Sequence, residues 1–302
     1  MPERVLAIVG PTAAGKSELA VALAHLFDGE VVNADSMQLY GGMDIGTAKP
    51  TAAERRGVVH HLLDVWPVTK SAAVAEYQAM ARAVIDDVHT RGRLPIVVGG
   101  SGLYVRGALD RLDFPGESPP IRARLTAELG TVGAPALHER LRRLDPEAAR
   151  AILPSNGRRI VRALEVIELT GGPFLARMPG FESFYDTTYV GLDRADLDER
   201  IAARVERMFV LGFVDEVRGL LYAGLRGSPT AGKALGYAQI LRCLDDNGAV
   251  VGDLDQAADE TVQGTRRFVR RQRSWFRRDP RIVWLAGTSA TVVAEAAHTL
   301  EP

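Results

Sequence analysis

Cysteine is almost missing from this chain: Cys243 is the single one in 302 residues. No internal disulfide can form, which fits a reducing cytoplasm. Cysteine and histidine nowhere cluster at zinc-ligand spacing. The adjacent His60 and His61 would face opposite sides of a strand, so they read as structural rather than as a joint metal site. Also missing is any apolar run near the ~18 residues of a membrane span. Met1-Pro2-Glu3-Arg4 leads straight into an apolar segment, with no signal peptide visible. The expectation is a cytoplasmic chain with no membrane partner. No nucleophile elbow, Ser/His/Asp signature, repeat or low-complexity tract stands out. Net charge is low as well, at -1, which argues against a general attraction to polyanions. What remains is an ordinary globular composition, 46% hydrophobic and 25% charged, at a length that allows about two domains.

The strongest positive signal is Gly10-Pro11-Thr12-Ala13-Ala14-Gly15-Lys16-Ser17. It follows the apolar run Val5–Val9 and precedes a helical pattern. G-x-x-x-x-G-K-S between strand and helix is a phosphate-binding P-loop. Its backbone N–H groups encircle an anion, Lys16 adds a charge, and Ser17 offers a hydroxyl to Mg²⁺. The loop does not say which phosphorylated molecule it holds.

Strand-like runs recur at Val5–Val9, Glu30–Ala34, His60–Val65, Leu94–Val98, Thr188–Leu192 and Arg281–Leu285. Helical patterns alternate with them, notably Ser17–Phe27 and Ser71–Arg91. This alternation predicts an α/β fold, a P-loop NTPase-like parallel sheet flanked by helices. Pro115, Gly116, Pro119 and Pro120 then mark a boundary. Beyond it, Ile121–Leu129, Ala136–Leu144, Pro146–Ile152 and Gly157–Leu169 read as helices, ended by Gly171-Gly172-Pro173. The expected layout is a first core segment 1–114, an inserted helical domain 115–186, and a return to the core with Arg-rich helices over 187–302.

Ligands of such sheets bind beyond the carboxyl ends of the strands. Three segments therefore converge: the P-loop, the run after Ala34 and the run after Val98. Asp35 is placed to bind Mg²⁺ through water or to act as a general base, against the alternative of a turn aspartate. Ser101, in Gly99-Gly100-Ser101-Gly102, can donate to a ligand or simply cap a helix. Arg158, Arg159 and Arg162 fall within one helical turn and can meet the phosphates of a polyanion, or form a solvated face. From Arg266 to Arg281 there are eight arginines and one acid, Asp279. Lacking acids at i±4, they suit nucleic-acid phosphates and bases, against the alternative of a sheet-packing helix with exposed charge.

Taken in order, several segments resemble one family. They are the P-loop, Asp35-Ser36-Met37-Gln38-Leu39-Tyr40, Met43-Asp44-Ile45-Gly46-Thr47-Ala48-Lys49-Pro50, Val98–Tyr104, Arg162-Ala163-Leu164-Glu165-Val166 and Arg266–Arg278. Together they resemble the tRNA dimethylallyltransferases, of bacterial type because no zinc finger follows the core. The resemblance implies transfer of a dimethylallyl group from dimethylallyl diphosphate to the exocyclic amine of the adenine 3′ to the anticodon. The acceptors would be tRNAs reading codons that begin with U, held at the anticodon stem-loop, and the enzyme would need Mg²⁺ and act as a monomer. It implies Asp35 as the general base, Gly10–Ser17 as the diphosphate cradle with Ser17 near Mg²⁺, and Ser101 at the bridging oxygen. Lys16 and Arg218 would stabilise the leaving group. Asp35, Ser36, Met37 and Gln38 would grip the adenine, and Ser101 would also contact tRNA. Arg122, Arg124 and the helix of Arg158, Arg159, Ile160, Val161 and Arg162 would lie against tRNA. The P-loop by itself also admits a small-molecule kinase, an adenylate prenyltransferase or a non-catalytic tRNA-binding protein.

Overall fold

Val5, Ala7 and Val9 enter one buried apolar cluster, and Leu6 and Ile8 enter another. Successive strand residues point to opposite faces, so this strand must be covered on both sides. Val32 and Val97 join the first cluster, while Val31, Ile96 and Val98 join the second. The sheet is thus a middle layer between two helical layers.

A computed structural model describes residues 4–174 and 180–300. In chain order its elements are β1 (Arg4–Val9), α1 (Lys16–Leu26), β2 (Gly29–Asn33), α2 (Ala52–Arg55), β3 (His60–His61), α3 (Val74–Thr90), β4 (Leu94–Gly99), α4 (Gly102–Leu109), α5 (Pro119–Leu144), α6 (Pro146–Ala151), α7 (Gly157–Thr170), β5 (Asp186–Asp193), α8 (Leu197–Val210), α9 (Phe213–Tyr222), α10 (Tyr237–Arg242), α11 (Leu254–Phe276), β6 (Ile282–Ala286) and α12 (Val292–His298). The strand order is β3-β2-β4-β1-β5-β6, and every pairing is parallel. All six expected strands are present, and the fold is the expected P-loop NTPase-like α/β sheet. Parallel register brings all carboxyl ends to one edge, where the loops after β1, β2, β4 and β5 meet. Among the described residues, no helix is long and apolar enough to cross a membrane.

The chain divides into two compact units, Met1–Arg111 with Ser183–Pro302, and Leu112–Glu182. The sequence places these boundaries a few residues later, at 115 and 186. In the smaller unit, Leu125, Leu137, Leu141, Ile160 and Leu164 form the core. Helices expected at Ile121–Leu129 and Ala136–Leu144 run together as α5, kinked where Gly133 adopts φ 79° and ψ 164° ahead of Pro135.

In the larger unit a buried ion cluster stands beside the amino end of β5. Asp110, fully buried, accepts from Arg106 at 2.5 Å and from Arg281 at 2.8 Å, and Arg281 also donates to Asp279. The two histidines are structural, as expected: His61 Nε2 lies 2.6 Å from Glu30, and His60 Nδ1 lies 3.0 Å from the Val58 carbonyl.

Candidate active site

The P-loop is shaped from its first residue. Gly10 has φ 131°, and a Cβ there would lie 2.2 Å from the Leu192 carbonyl of β5. Only glycine fits that turn. Lys16 curls back over the loop and donates from Nζ to the Pro11 carbonyl at 2.7 Å. Burial and the nearby Arg204 push its ammonium down to about 8, against the opposing pull of Asp35. Ser17 is exposed at the start of α1.

The segment after β2 supplies a carboxyl. Asp35 donates its N–H to Asn33 Oδ1 at 3.0 Å and accepts the Met37 N–H on Oδ1 at 2.9 Å. Asn33 is itself anchored to the Leu62 carbonyl. Burial raises the Asp35 carboxyl above its ordinary value, although the Met37 N–H and Lys16 oppose the shift. A desolvated acid with one oxygen fixed in a turn is a suitable proton acceptor. Ser36 and Ser101 lie together: Ser101 Oγ accepts the Ser36 N–H at 3.3 Å, and the two hydroxyls are 3.2 Å apart. Ser101 is the first residue before α4 but makes no side-chain cap bond, so its hydroxyl serves the loop junction and not the helix end.

The next turn is held from two sides. Gln38 donates from Nε2 to the Thr47 and Ala48 carbonyls at 3.1 and 3.3 Å. Glu216 of α9 accepts the N–H groups of Asp44, Ile45 and Gly46 and the Tyr237 hydroxyl. Lys49, buried, donates to the Tyr40 carbonyl and pairs with Asp44 and Asp64. These contacts account for the Asp-Ile-Gly-Thr-Ala-Lys run as a preorganised loop.

The arginines at the P-loop come from a helix the sequence did not single out. Arg200 Nε donates to the Ala13 carbonyl at 2.9 Å, and Arg204 reaches Thr12 Oγ1 at 3.3 Å. Burial and the neighbouring Arg200 push the Arg204 guanidinium below its ordinary value. Arg218, expected near the diphosphate, donates to the Gly248 carbonyl at 2.8 Å and pairs with Asp215. The signal available was positional: α8 follows β5, the neighbour of β1, and its basic residues at i and i+4 share one face.

A family model described as "IPP transferase" matches residues 38–279. The chain belongs to the IPP transferase family. Relatives of this chain include a tRNA dimethylallyltransferase of Salinispora arenicola, 62% identical over 97% of this chain and 85% of that one. Another, from Thermobifida fusca, is 63% identical over 97% of this chain and 92% of that one. Among solved structures, the full-length tRNA isopentenylpyrophosphate transferase of Bacillus halodurans aligns with a TM-score of 0.71 at 38% identity, covering 99% of this chain and 97% of that one. A eukaryotic dimethylallyltransferase acting on tRNA aligns with a TM-score of 0.81 at 24% identity, over 99% of this chain and 80% of that one. At that identity the likeness speaks for the fold.

Two groups of basic residues were expected to meet nucleic acid. In the smaller unit, Arg158 and Arg159 are exposed. Ile160 and Val161 are not available, because both are buried in the helical core. Arg122 and Arg162 converge on the fully buried Glu165, at 2.8 and 3.0 Å. Arg124 pairs with Glu168. On α11 the absence of acidic partners holds only locally: Arg273 makes a two-pronged contact with Asp193 of β5, and Arg266 approaches Asp198. Arg267, Arg270, Arg271 and Arg278 remain exposed. They line, with Ser274 and Trp275, a shallow groove of about 620 Å³.

Proposed function

We propose that this chain transfers a dimethylallyl group from dimethylallyl diphosphate to the exocyclic amine of the adenine 3′ to the anticodon of tRNA, releasing diphosphate. The observation that carries the reading is the meeting, in a member of this family, of a P-loop bearing Lys16 with the Asp35 carboxyl, fixed by the Met37 N–H at 2.9 Å in a turn whose Ser36 N–H is held by Ser101. Such a pair serves a reaction in which a phosphorylated group leaves while a proton is taken up. The bond from the allylic carbon to the diphosphate oxygen breaks, and a bond from that carbon to the amine nitrogen forms. The electron pair goes to the diphosphate and the amine proton to Asp35.

The P-loop N–H groups, Lys16, Arg200 and Arg204 stabilise charge on the leaving group. The adenine amine is a poor nucleophile because its lone pair is delocalised, so a fixed base lowers the barrier. The base must leave its stack to enter the site. The preorganised Asp35–Gln38 segment and Ser101 receive it there, and the helical unit offers Arg158 and Arg159 to tRNA phosphates.

The residues fit Mg²⁺ in a particular way. Among the described residues, no three carboxylates, histidines or cysteines cluster to cage a metal. An exposed Ser17 hydroxyl beside a phosphate cradle suits a cation that keeps its waters and takes most ligands from phosphate. Mg²⁺ bound there neutralises diphosphate charge.

The test combines purified protein, unmodified tRNA, dimethylallyl diphosphate and Mg²⁺, with mass spectrometry of the digested tRNA. Prenylated adenosine and free diphosphate are expected. No product with a tRNA carrying adenine at the third anticodon position and beside it overturns the proposal.

A further inference from the structure

One side chain ties the helix of exposed arginines to the phosphate loop. Gln272 of α11 is 4% exposed. Its Oε1 accepts the Thr12 N–H of the P-loop at 3.0 Å, and its Nε2 donates to the Gly100 carbonyl after β4 at 2.9 Å. The amide orientation is fixed by chemistry, since an N–H needs an acceptor and a carbonyl needs a donor. Neither charged chain of similar length can meet both groups from this position: glutamate loses the donor and lysine loses the acceptor.

Close packing reinforces the tie. A Cβ on Gly100 would lie 2.3 Å from Gln272 Nε2, and one on Gly102 would lie 2.0 Å from Trp275 Nε1. Gly100 and Gly102 of the β4–α4 turn thus lie directly against side chains of α11. The exposed side of the same helix carries Arg267, Arg270, Arg271 and Arg278 around the groove that Trp275 also lines. Four guanidinium groups at a groove with an indole wall are complementary to a nucleic-acid backbone with its bases.

We propose that Gln272 is a positioning residue that couples the arginine face of α11 to the P-loop, so that tRNA bound on that face tightens the diphosphate site. This rests on the function proposed above. The helix is a stiff element: a shift imposed on its arginine face moves Gln272, and with it the Thr12 amide and the Gly100 turn together. Coupling of this kind is reciprocal, so diphosphate must tighten tRNA binding by the same factor.

The experiment titrates inorganic pyrophosphate calorimetrically into the protein alone and into its complex with unmodified tRNA. In the native chain, tRNA is expected to tighten pyrophosphate binding by at least about fivefold. In Gln272→Ala, tRNA affinity stays within about twofold while the tightening disappears. Gln272→Glu keeps the Thr12 acceptor, loses the Gly100 donor and retains only part of the tightening, which gives the same reading if the alanine variant does not fold. Arg267→Ala/Arg270→Ala/Arg271→Ala weakens tRNA binding and lowers the slope of log K against log salt by about one for each phosphate left without its arginine. Equal pyrophosphate affinity with and without tRNA in the native chain overturns the coupling. Full tightening in both Gln272 variants, or an unchanged salt slope in the arginine variant, does so too. A native chain that binds neither pyrophosphate nor tRNA overturns the underlying function as well, and is told apart by that double loss.

Discussion

Replacing Asp35 by asparagine removes one negative charge while keeping the shape of the side chain. The Met37 N–H that reaches Oδ1 at 2.9 Å still finds an amide oxygen, so the turn after β2 survives. The proton acceptor does not survive. Loss of a positioned general base costs roughly 10²–10⁴ in rate, or about 2.7–5.5 kcal/mol at 1.36 kcal/mol per tenfold. The loss should fall on kcat in single-turnover prenylation at saturating tRNA and donor. The pH profile gives an independent reading. Asp35 must be ionised to accept a proton, so activity falls as pH drops through its value, which burial has raised. Lys16 must be protonated to capture the diphosphate, so kcat/KM for the donor, which reports the free enzyme, falls as pH rises through about 8. In Asp35→Asn the acidic limb should vanish. The alkaline limb should move to lower pH, because the Asp35 charge that sustains the Lys16 proton is gone. Stability has its own sign. A carboxyl whose folded value lies above its unfolded one opposes folding as pH rises past the unfolded value, and asparagine removes that cost. The melting temperature at pH 7 should therefore hold or rise. A variant within tenfold of the native rate that keeps its acidic limb refutes Asp35 as the base.

Arg204→Ala should lower kcat/KM for dimethylallyl diphosphate by roughly 10²-fold, as expected for a lost donor to developing charge, with Arg218→Ala as the control that stays within roughly twofold. Steady-state kinetics with the donor varied separates the two. Glu165→Gln should destabilise the smaller unit by about 1–3 kcal/mol, the partly exposed Arg122 and Arg162 keeping the figure below that of a fully buried pair. Burial opposes the ionised Glu165, but the Ser118 N–H, Arg122 and Arg162 outweigh it and hold its carboxyl below its usual range. That stabilisation is present above the unfolded value of 4.5 and is lost as pH falls through the folded one. Hydrogen exchange over α5 and α7 should show acid loosening in the native chain and little further pH dependence in the variant.

Much of the core was legible because its signals are short in sequence. The P-loop is one run, and the two-sided burial of β1 and β4 follows from unbroken apolar stretches. Contacts that complete the site span far greater separations. Gln272 meets Thr12 across 260 positions and Arg204 meets it across 192. Glu216 meets Gly46 across 170. No periodicity within a helix reveals which distant loop its outward face will touch. Local reading also misjudged the arginines of α11, because the acid for Arg273 is Asp193 at the end of β5. The same limit applies to Ile160 and Val161, which the family resemblance placed beside tRNA and which packing places in the core of α7. Short elements such as α2 and α12 carry too few turns for a pattern to emerge.

A net charge of -1 conceals a site with a strong internal polarity. On one side Lys16, Arg200 and Arg204 converge on the P-loop. Gathering cations away from water is costly, and burial accordingly lowers the Lys16 and Arg204 values. A diphosphate reverses the sign of that cost, since each cation gains a counter-charge and the strain becomes binding energy. The gain grows as the allylic bond lengthens and charge collects on the leaving oxygen, so it is largest at the transition state. On the other side, beyond β2, the groups are the Asp35 carboxyl and the hydroxyls of Ser36 and Ser101, which accept protons and hydrogen bonds. Electrons are drawn toward the cationic half while a proton is drawn toward the acidic half. That opposition gives the proposed transfer its direction, and it explains why a phosphate cradle common to nucleotide-binding folds can serve bond cleavage at carbon.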